Sequence, residues 1–557
     1  MQPTSSPTDA QEQTPPVVVR SLPEMDYTRD YVALPPTYGT AAYEAREDVR
    51  AITAAVHEAL DALDARTGFT AALPGYKRVF VKPNLVAVYH NAGLLEADYP
   101  ASTDPRVLDA VITYLQRFTD RIVIAESAGK PLPTPVCFHL SGLRRLARHR
   151  GVALCALERR PVERYALPRA QVMREVYLPD VMGEVVRGES LYVSVPKLKS
   201  NLYTGVTLSM KGNMGLLPYF MRERNHTYHI HEKLADLLYL LRPGLTIVDA
   251  VVGGDGNTPA PVLPRAVGAV VCSCNALAAD RVATRLMGLA PESIALYREA
   301  AARWGAPVAE EVVGDVRPVP FVGANPSLMD EGFRAQFPGV LALAGHTKHG
   351  APAIQDVRAV TPETARALEG ACVGGCLSAL RSGFEYVTFS APHKRGFPLA
   401  VVIGEGVCVA GERYWFDAAG KPYTASDIAA LPMPKLTMGN CAAGLEHLAK
   451  YKVRGCCDPA QCMLAACAAA GVMFPLLSPR NRSLLRLVAS LVGTVWHKLG
   501  WLARGRWVDC PMRHEDRIFD IPESLDDGTD WVAWPLPPLR GRERLRRMAD
   551  QFTLFRL

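Results

Sequence analysis

The chain has 557 residues, is 49% hydrophobic, and sets 62 basic against 56 acidic residues for a formal net charge of +6. That length exceeds what one core supports and predicts two or three globular domains, while the near balance of charge gives no ground for a nucleic-acid partner. Thirteen cysteines without an export signal exclude a disulfide framework and point to reduced thiols or metal ligation.

The first twenty residues are rich in Pro, Thr, Ser and Gln and lack the basic and apolar regions of a signal peptide. We therefore read 1–40 as a disordered lead and the protein as cytoplasmic. Apolar residues at helical spacing predict an amphipathic helix over 43–65. Residues 78–85, RVFVKPNL, read as a buried strand that ends in Lys82-Pro83-Asn84. Thr103-Asp104-Pro105 is a helix start, with a side-chain cap and a proline in the first turn. A strand over 121–125 follows and runs into Glu126-Ser127-Ala128-Gly129. Strand, helix, strand is the rhythm of a βαβ unit, in which ligands collect beyond the carboxyl ends of the strands. Lys82, Asn84 and Glu126 thus stand where chemistry is expected.

A helix over 141–150 and a strand over 152–157 lead to 190–215, SLYVSVPKLKSNLYTGVTLSMKGNMG, which reads as strand, turn, strand, turn. Lys197 and Lys199 follow Pro196 at period-two spacing, so an extended chain sets both ammonium groups on one face. They repel unless an anion or an acidic side chain lies between them. The run 204–210 alternates hydroxyl and apolar residues and closes on Lys211-Gly212-Asn213. Three lysines interleaved with Asn201, Thr204, Thr207 and Asn213 predict an anion site, although no P-loop pattern occurs. His226, His229 and His231 do not share a face in any one regular conformation, so they read as loop histidines or helix caps rather than a metal site. A helix over 231–241, a strand over 245–252 ending in Gly253-Gly254-Asp255, a strand over 266–272 and a helix over 276–287 complete this half. Asp249, Asp255 and Asp280 suit general bases or magnesium ligands, and equally caps and turns.

The segments KPNLV, TDPRVLDAVI, the helix begun by SGL, VPKLKSNLYTGVTLSMKGNMGLLP, the His-rich stretch, RPGLTIVDAVVGGDGN and AADRVATRLMG occur in that order. Together they resemble the family filed as domain of unknown function 362, whose members are often described as iron–sulfur proteins. The resemblance covers about residues 75–300 and several ordered motifs. It implies functional positions at Lys82, Asn84, Lys197, Lys199, Thr204, Gly205, Lys211, Asp249 and Asp280, and names no reaction.

In the second half, Cys372-Val-Gly-Gly-Cys376 opens a helix, and strands over 400–403 and 435–438 run into Gly404-Glu405-Gly406 and Gly439-Asn440-Cys441. Cys456, Cys457 and Cys462 follow. Two close cysteines with distant ones beside glycines suit a four-thiolate site, because glycine lets backbone amides approach sulfur. This order is similar to the proximal four-iron cluster region of hydrogenase small subunits and of the corresponding quinone-oxidoreductase subunit. Here the first pair is one residue wider, and Asp458 and a second cysteine alter the final turn. The most economical ligand set is Cys372, Cys376, Cys441 and Cys456, with Cys457 and Cys462 competing for the fourth place. The expected cofactor is a 4Fe–4S cluster, with zinc as runner-up. Cys137, Cys155, Cys272, Cys274, Cys408, Cys467 and Cys510 read mostly as core thiols.

The apolar run 484–502 is interrupted by Arg486, His497 and Lys498, which fails the criterion for an integral membrane segment and fits a helix lying on the protein or on a membrane surface. The basic end, RGRERLRRMADQF, reads as a solvated amphipathic helix. The whole predicts an α/β protein: a layered, mostly parallel sheet with flanking helices over 41–330, a smaller α/β cysteine domain over 331–477, and a helical extension over 478–557. The expected function is an iron–sulfur oxidoreductase exchanging electrons with a carboxylate or phosphate small molecule, served by a ferredoxin-like donor. Lys82, Lys211, Asp249 and Glu126 are the expected catalytic groups; Asn84, Lys197, Lys199, Thr204, Gly205 and Asn213 are the expected binding groups. The rival expectations are a non-redox lyase, isomerase or ligase with a structural metal, and a non-enzymatic electron-transfer subunit.

Overall fold

Alternation of side chains across the central strands requires apolar cover on both faces of the large sheet, and the computed structural model supplies it. It describes residues 14–85, 100–129, 133–218, 221–222, 226–257, 263–305, 309–348, 350–371, 375–455, 459–473, 483–509 and 520–552. Val79, Val81, Ile122, Ile124, Val193 and Val195 enter one core; Phe80, Ala125 and Tyr192 enter the other. A strand covered on both faces reads as a continuous apolar run, as these do.

Five neighbouring strands of this sheet are parallel, in the order Leu245–Asp255, Leu191–Val195, Val79–Pro83, Ile122–Glu126 and Ala153–Ala156, and Lys197–Asn201 also pairs in parallel with Leu245–Asp255. Leu263–Ser273, Pro16–Ser21 and Glu311–Val313 extend it on one side, with antiparallel pairing on both edges of Leu263–Ser273. From Val79–Pro83 the chain adds strands outward in one direction, then returns to add Leu191–Val195 on the other side. The order therefore reverses between these two neighbours, which leaves a crevice beyond their carboxyl ends.

Local signals explain the flanking helices. Glu47–Thr67 buries Val49, Ile52, Val56, Leu60 and Leu63 at helical spacing and ends where Gly68 turns left-handed at φ 63°. Pro105–Leu115 is capped by Asp104, whose carboxylate accepts from the Arg106 amide.

The second sheet sets Val340–Ala344, Leu399–Ile403, Lys435–Met438 and Tyr451–Val453 side by side in parallel. Phe333, Phe337 and Phe384 fill its core on one face, with ring centroids 5.0–5.2 Å apart, and Leu343, Val402 and Trp415 lie on the other. The two regions are tied by Asn257, which donates to Glu385 at 2.8 Å and whose side-chain carbonyl accepts from the Asn325 amide at 2.9 Å. Among the described residues no helix is long and apolar enough to cross a membrane.

Three expectations are corrected. Residues 16–21 are a strand rather than part of a disordered lead, because Val17, Val18 and Val19 alternate into both cores. The run 204–210 is not a second strand: after the strand Lys197–Asn201 only Gly205–Val206 is extended, and Leu208–Gly212 is helical. Tertiary bonding decides this, since the Asp280 carboxylate accepts from the Ser209 and Met210 amides and fixes the start of that helix. Cys408 is exposed rather than a core thiol; Cys510 lies outside the described residues.

Replacing Phe384 by Ala removes the ring shared by the aromatic cluster, and we expect a loss of about 3–5 kcal/mol in urea unfolding. A loss below about 1 kcal/mol would show that this cluster is not the second core.

Candidate functional site

The crevice at the strand reversal opens into a cavity of about 140 Å³ lined by Lys82, Asn84, Glu126, Lys199, Lys211 and Arg222, with Asn201, Tyr203, Thr207 and His226 beside them. That volume suits a small ligand of roughly benzene size. Four cations and one carboxylate among its described lining residues make it strongly electropositive.

Lys82 and Glu126 end adjacent strands, Lys199 lies in the strand Lys197–Asn201, and Lys211 is carried by the short helix Leu208–Gly212. Lys82 donates to Glu126 at 3.0 Å, and both are buried. Glu126 also accepts from the Ser127 amide at 2.8 Å and the Leu85 amide at 3.3 Å. Burial drives the Glu126 carboxyl upward, against the pull of Lys82. Gly215 is what lets the pair close: a Cβ there would stand 2.6 Å from Glu126 Oε1 and 2.9 Å from Lys82 Nζ. Lys199 Nζ donates to the Ala101 carbonyl, and burial, then Lys211 and Lys197, lowers it to about 7. Lys211 lies over the Tyr203 ring at 5.9 Å, and burial, then Lys82 and Arg222, lowers it to about 8. Arg222 is fixed by the Ser127 and Ala128 carbonyls at 2.6 and 2.8 Å. His226 is pushed well down by burial and its cationic neighbours, and its Nδ1 lies 3.1 Å from the Arg222 carbonyl, so Nδ1 donates and Nε2 is the bare nitrogen.

The remaining expected residues take supporting places outside the cavity lining. Lys197 is spent on Asp249 at 2.9 Å, both fully buried, and Asp249 also accepts from the Asp104 amide at 2.7 Å. This pair separates Lys197 from Lys199 by giving one of them an internal counter-ion. Asn213 is bonded to Tyr192 and to the Leu241 carbonyl, and Thr204 to Asn201 and the Val206 carbonyl. Gly205 turns left-handed at φ 77° to let the short strand form. Asp280 anchors the Lys211 helix by its start, as described, and burial lifts its carboxyl to about 7. Arg222 was missed because no periodicity marks it. Asn201 carried a readable signal, an Asn whose carbonyl accepts from the Tyr203 and Thr204 amides as an Asx turn does.

Of the expected thiolates, Cys372 and Cys456 lie outside the described residues, as does Cys457. Cys376, at the start of the helix Cys376–Ser390, and Cys441, beyond the strand Lys435–Met438, flank Gly439. A Cβ on Gly439 would stand 3.2 Å from Cys376 Sγ, 3.5 Å from Cys441 Sγ and 3.6 Å from the Gly455 carbonyl. Two thiols and the residue preceding Cys456 thus share one cradle around Gly439, which is left-handed at φ 76° and puts no side chain between them. One donor set was not foreseen: His346, Glu405 and Cys441, beyond three adjacent strand ends, have ligand atoms within 4.8 Å of one another. His346 is buried, its Nδ1 3.7 Å from Glu405 Oε2.

The thiol region and the cationic cavity adjoin. The helix Pro459–Ala469, which follows directly on 456–458, lines the cavity with Pro459, Ala460 and Met463. Gly375 packs against Thr227, next to His226.

Comparison with known proteins gives three findings. The model of a family described as domain of unknown function (DUF362) matches residues 79–285, the part that supplies every cationic group of the cavity. Thylakoid-associated protein sll1697 of Synechocystis sp. (strain ATCC 27184 / PCC 6803 / Kazusa) is 29% identical over 108 residues, 18% of this chain and 34% of that protein, so the chain spans about a third of its length. No solved structure matches.

The lysine environment sets a pH dependence with a definite sign. Because Lys199 and Lys211 lose their protons near 7 and 8 when folded, affinity for sulfate, which does not itself titrate there, should fall as pH rises from about 6 to about 9. Without an anion the unfolded chain, with Lys199 at its ordinary 10.5, binds more protons than the folded one above about 7. Sulfate-free stability should therefore rise with pH above about 7 and level off at its lower value below it, and sulfate should flatten the slope. Calorimetric titration and thermal unfolding read both; a pH-independent affinity would contradict the assignment. Lys211→Met should weaken sulfate binding about ten- to a hundredfold, the value of one charge-assisted hydrogen bond.

Proposed function

We propose that the protein is an iron–sulfur oxidoreductase in which a small carboxylate or phosphate anion sits in the cationic cavity beside a thiolate-held cluster. The observation that supports it is the shared wall: the helix that follows the last cysteine group lines the cavity that holds Lys82, Lys199, Lys211 and Arg222. A 4Fe–4S cluster, held by Cys376 and Cys441 together with Cys372 and Cys456, would supply or accept single electrons. The Gly439 cradle fits such a group, because it brings two thiols together with no side chain between them.

The chain's own residues do the rest. Lys199, Lys211 and Arg222 bind the anion's oxygens and offset negative charge as it develops, at low local dielectric and without reorganisation. Asn84, whose Oδ1 accepts from the Lys197 amide at 3.0 Å, fixes the two strand ends that carry Lys82 and Lys199. Glu126 is assigned as proton carrier, since burial raises its carboxyl and Lys82 touches it at 3.0 Å.

A second reading is favoured by a separate observation. The imidazole, carboxylate and thiolate of His346, Glu405 and Cys441 form a donor set that zinc accepts, which would make the metal structural and the anion chemistry non-redox. Metal and sulfide analysis of anaerobically purified protein divides the two. The redox reading expects about four irons and four sulfides per chain, and their loss in Cys441→Ser. One zinc, no sulfide and no absorbance near roughly 400 nm would overturn it.

A further inference from the structure

Among the described residues, the helix Leu484–Ala503 is fixed to the protein along one face and exposed along the other. Leu487 enters the first core, Leu491 packs against it, and Arg159 binds Thr494 Oγ1 at 3.0 Å and the Ser490 carbonyl at 3.2 Å. Lys498 is buried against Asp509 at 3.1 Å. The opposite face carries Leu485 at 86% exposure, Val488 at 50%, Val492 at 57% and Trp496 at 76%, joined by exposed Ala489, Gly500 and Ala503. At a rise of about 1.5 Å per residue this apolar ridge runs for roughly 27 Å. Isolated exposed apolar residues need no explanation, but a contiguous ridge does.

Charge identifies what covers it. The helix contains no Asp or Glu, and the ridge is bordered by exposed Arg486, Arg504 and Arg506. The adjoining helix Gly541–Asp550, whose Arg544 reaches the Ala503 carbonyl, adds exposed Arg542 and Arg546 and a 64% exposed Leu545. A second copy seated on the ridge would set arginines against arginines in either orientation. A single exposed helix presents a ridge, whereas recognition of a specific peptide helix uses a groove that holds its anchors. An apolar strip with a Trp and a cationic border matches instead the headgroup–acyl boundary of an anionic bilayer.

We propose that this ridge docks the protein, peripherally and in the plane of the surface, on membranes containing anionic lipid. Leu485, Val488, Val492 and Trp496 enter the acyl boundary, and the arginines meet the headgroups. The helix remains anchored on the protein and does not span.

Sedimentation of the full chain with phosphatidylcholine vesicles, with and without about one-third phosphatidylglycerol, tests this. We expect binding to the anionic vesicles only, weakened by high salt, and lowered about tenfold or more by Val492→Glu with Trp496→Glu at unchanged unfolding midpoint. Val492→Ser with Trp496→Ser provides the same reading if the acidic pair fails to fold. Arg504→Glu with Arg506→Glu should remove the preference for anionic lipid. The proposal is overturned if the parent chain does not sediment with anionic vesicles, or if the ridge variants bind like the parent. It is equally overturned if the parent forms a concentration-dependent dimer that the ridge variants dissolve, which would make the ridge an interface between copies.

Discussion

Buried ammonium groups at the carboxyl ends of parallel strands are the constraint on which this structure depends. Lys82, Lys197 and Lys199 are buried there, the half-buried Lys211 of the helix Leu208–Gly212 joins them, and removing such charges from water costs several kcal/mol each unless partners compensate. Lys82 is compensated by Glu126 and Lys197 by Asp249. Lys199 and Lys211 have no carboxylate of their own among the described residues, and burial holds both below the usual lysine range. Both face the cavity, which is where the proposed anion would sit. The reversal of strand order explains why the cavity is there at all, since the helices that would cover the strand ends diverge on either side of it.

The second sheet solves a different problem with the same architecture. Its parallel strands bring His346, Glu405 and Cys441 to equivalent places beyond their carboxyl ends, and Gly439 keeps the space between Cys376 and Cys441 free of a side chain. Neither region closes the cavity alone. Residues between 82 and 222 supply its cations and the cysteine region supplies Pro459, Ala460 and Met463, so the cationic cavity and the thiol region share one wall.

Much of this was legible in the sequence wherever a local rule and the tertiary structure agreed. The strand Val79–Pro83 ending at Asn84, the helix capped by Asp104 and the strand Lys435–Met438 before Gly439 were all readable from apolar runs, caps and glycines. Lys82, Asn84 and Glu126 were readable as neighbours because strand ends in such sheets converge, and Lys199 and Lys211 because they share one lysine-rich segment; all five line the cavity. What could not be read depended on distant partners. The division between Lys197, spent inside, and Lys199, facing the cavity, is made by Asp249, about fifty residues away. The helical start at Leu208 is made by Asp280 rather than by its own alternating residues, and Arg222 enters the cavity through carbonyls of the Ser127 loop. The strand Pro16–Ser21 was hidden by the composition of its surroundings, although its three valines are what seat it between two cores.

The proposed arrangement sets a thiolate-held iron centre next to an anion bound by Lys199 and Lys211. The most direct measurement is diffraction from anaerobically grown crystals on both sides of the iron edge, with sulfate or a carboxylate present. The account predicts an iron peak bonded to Cys376 and Cys441, and density for the anion between Lys199 and Lys211. A peak at the zinc edge on His346, Glu405 and Cys441, with no iron at the Gly439 cradle, would contradict it.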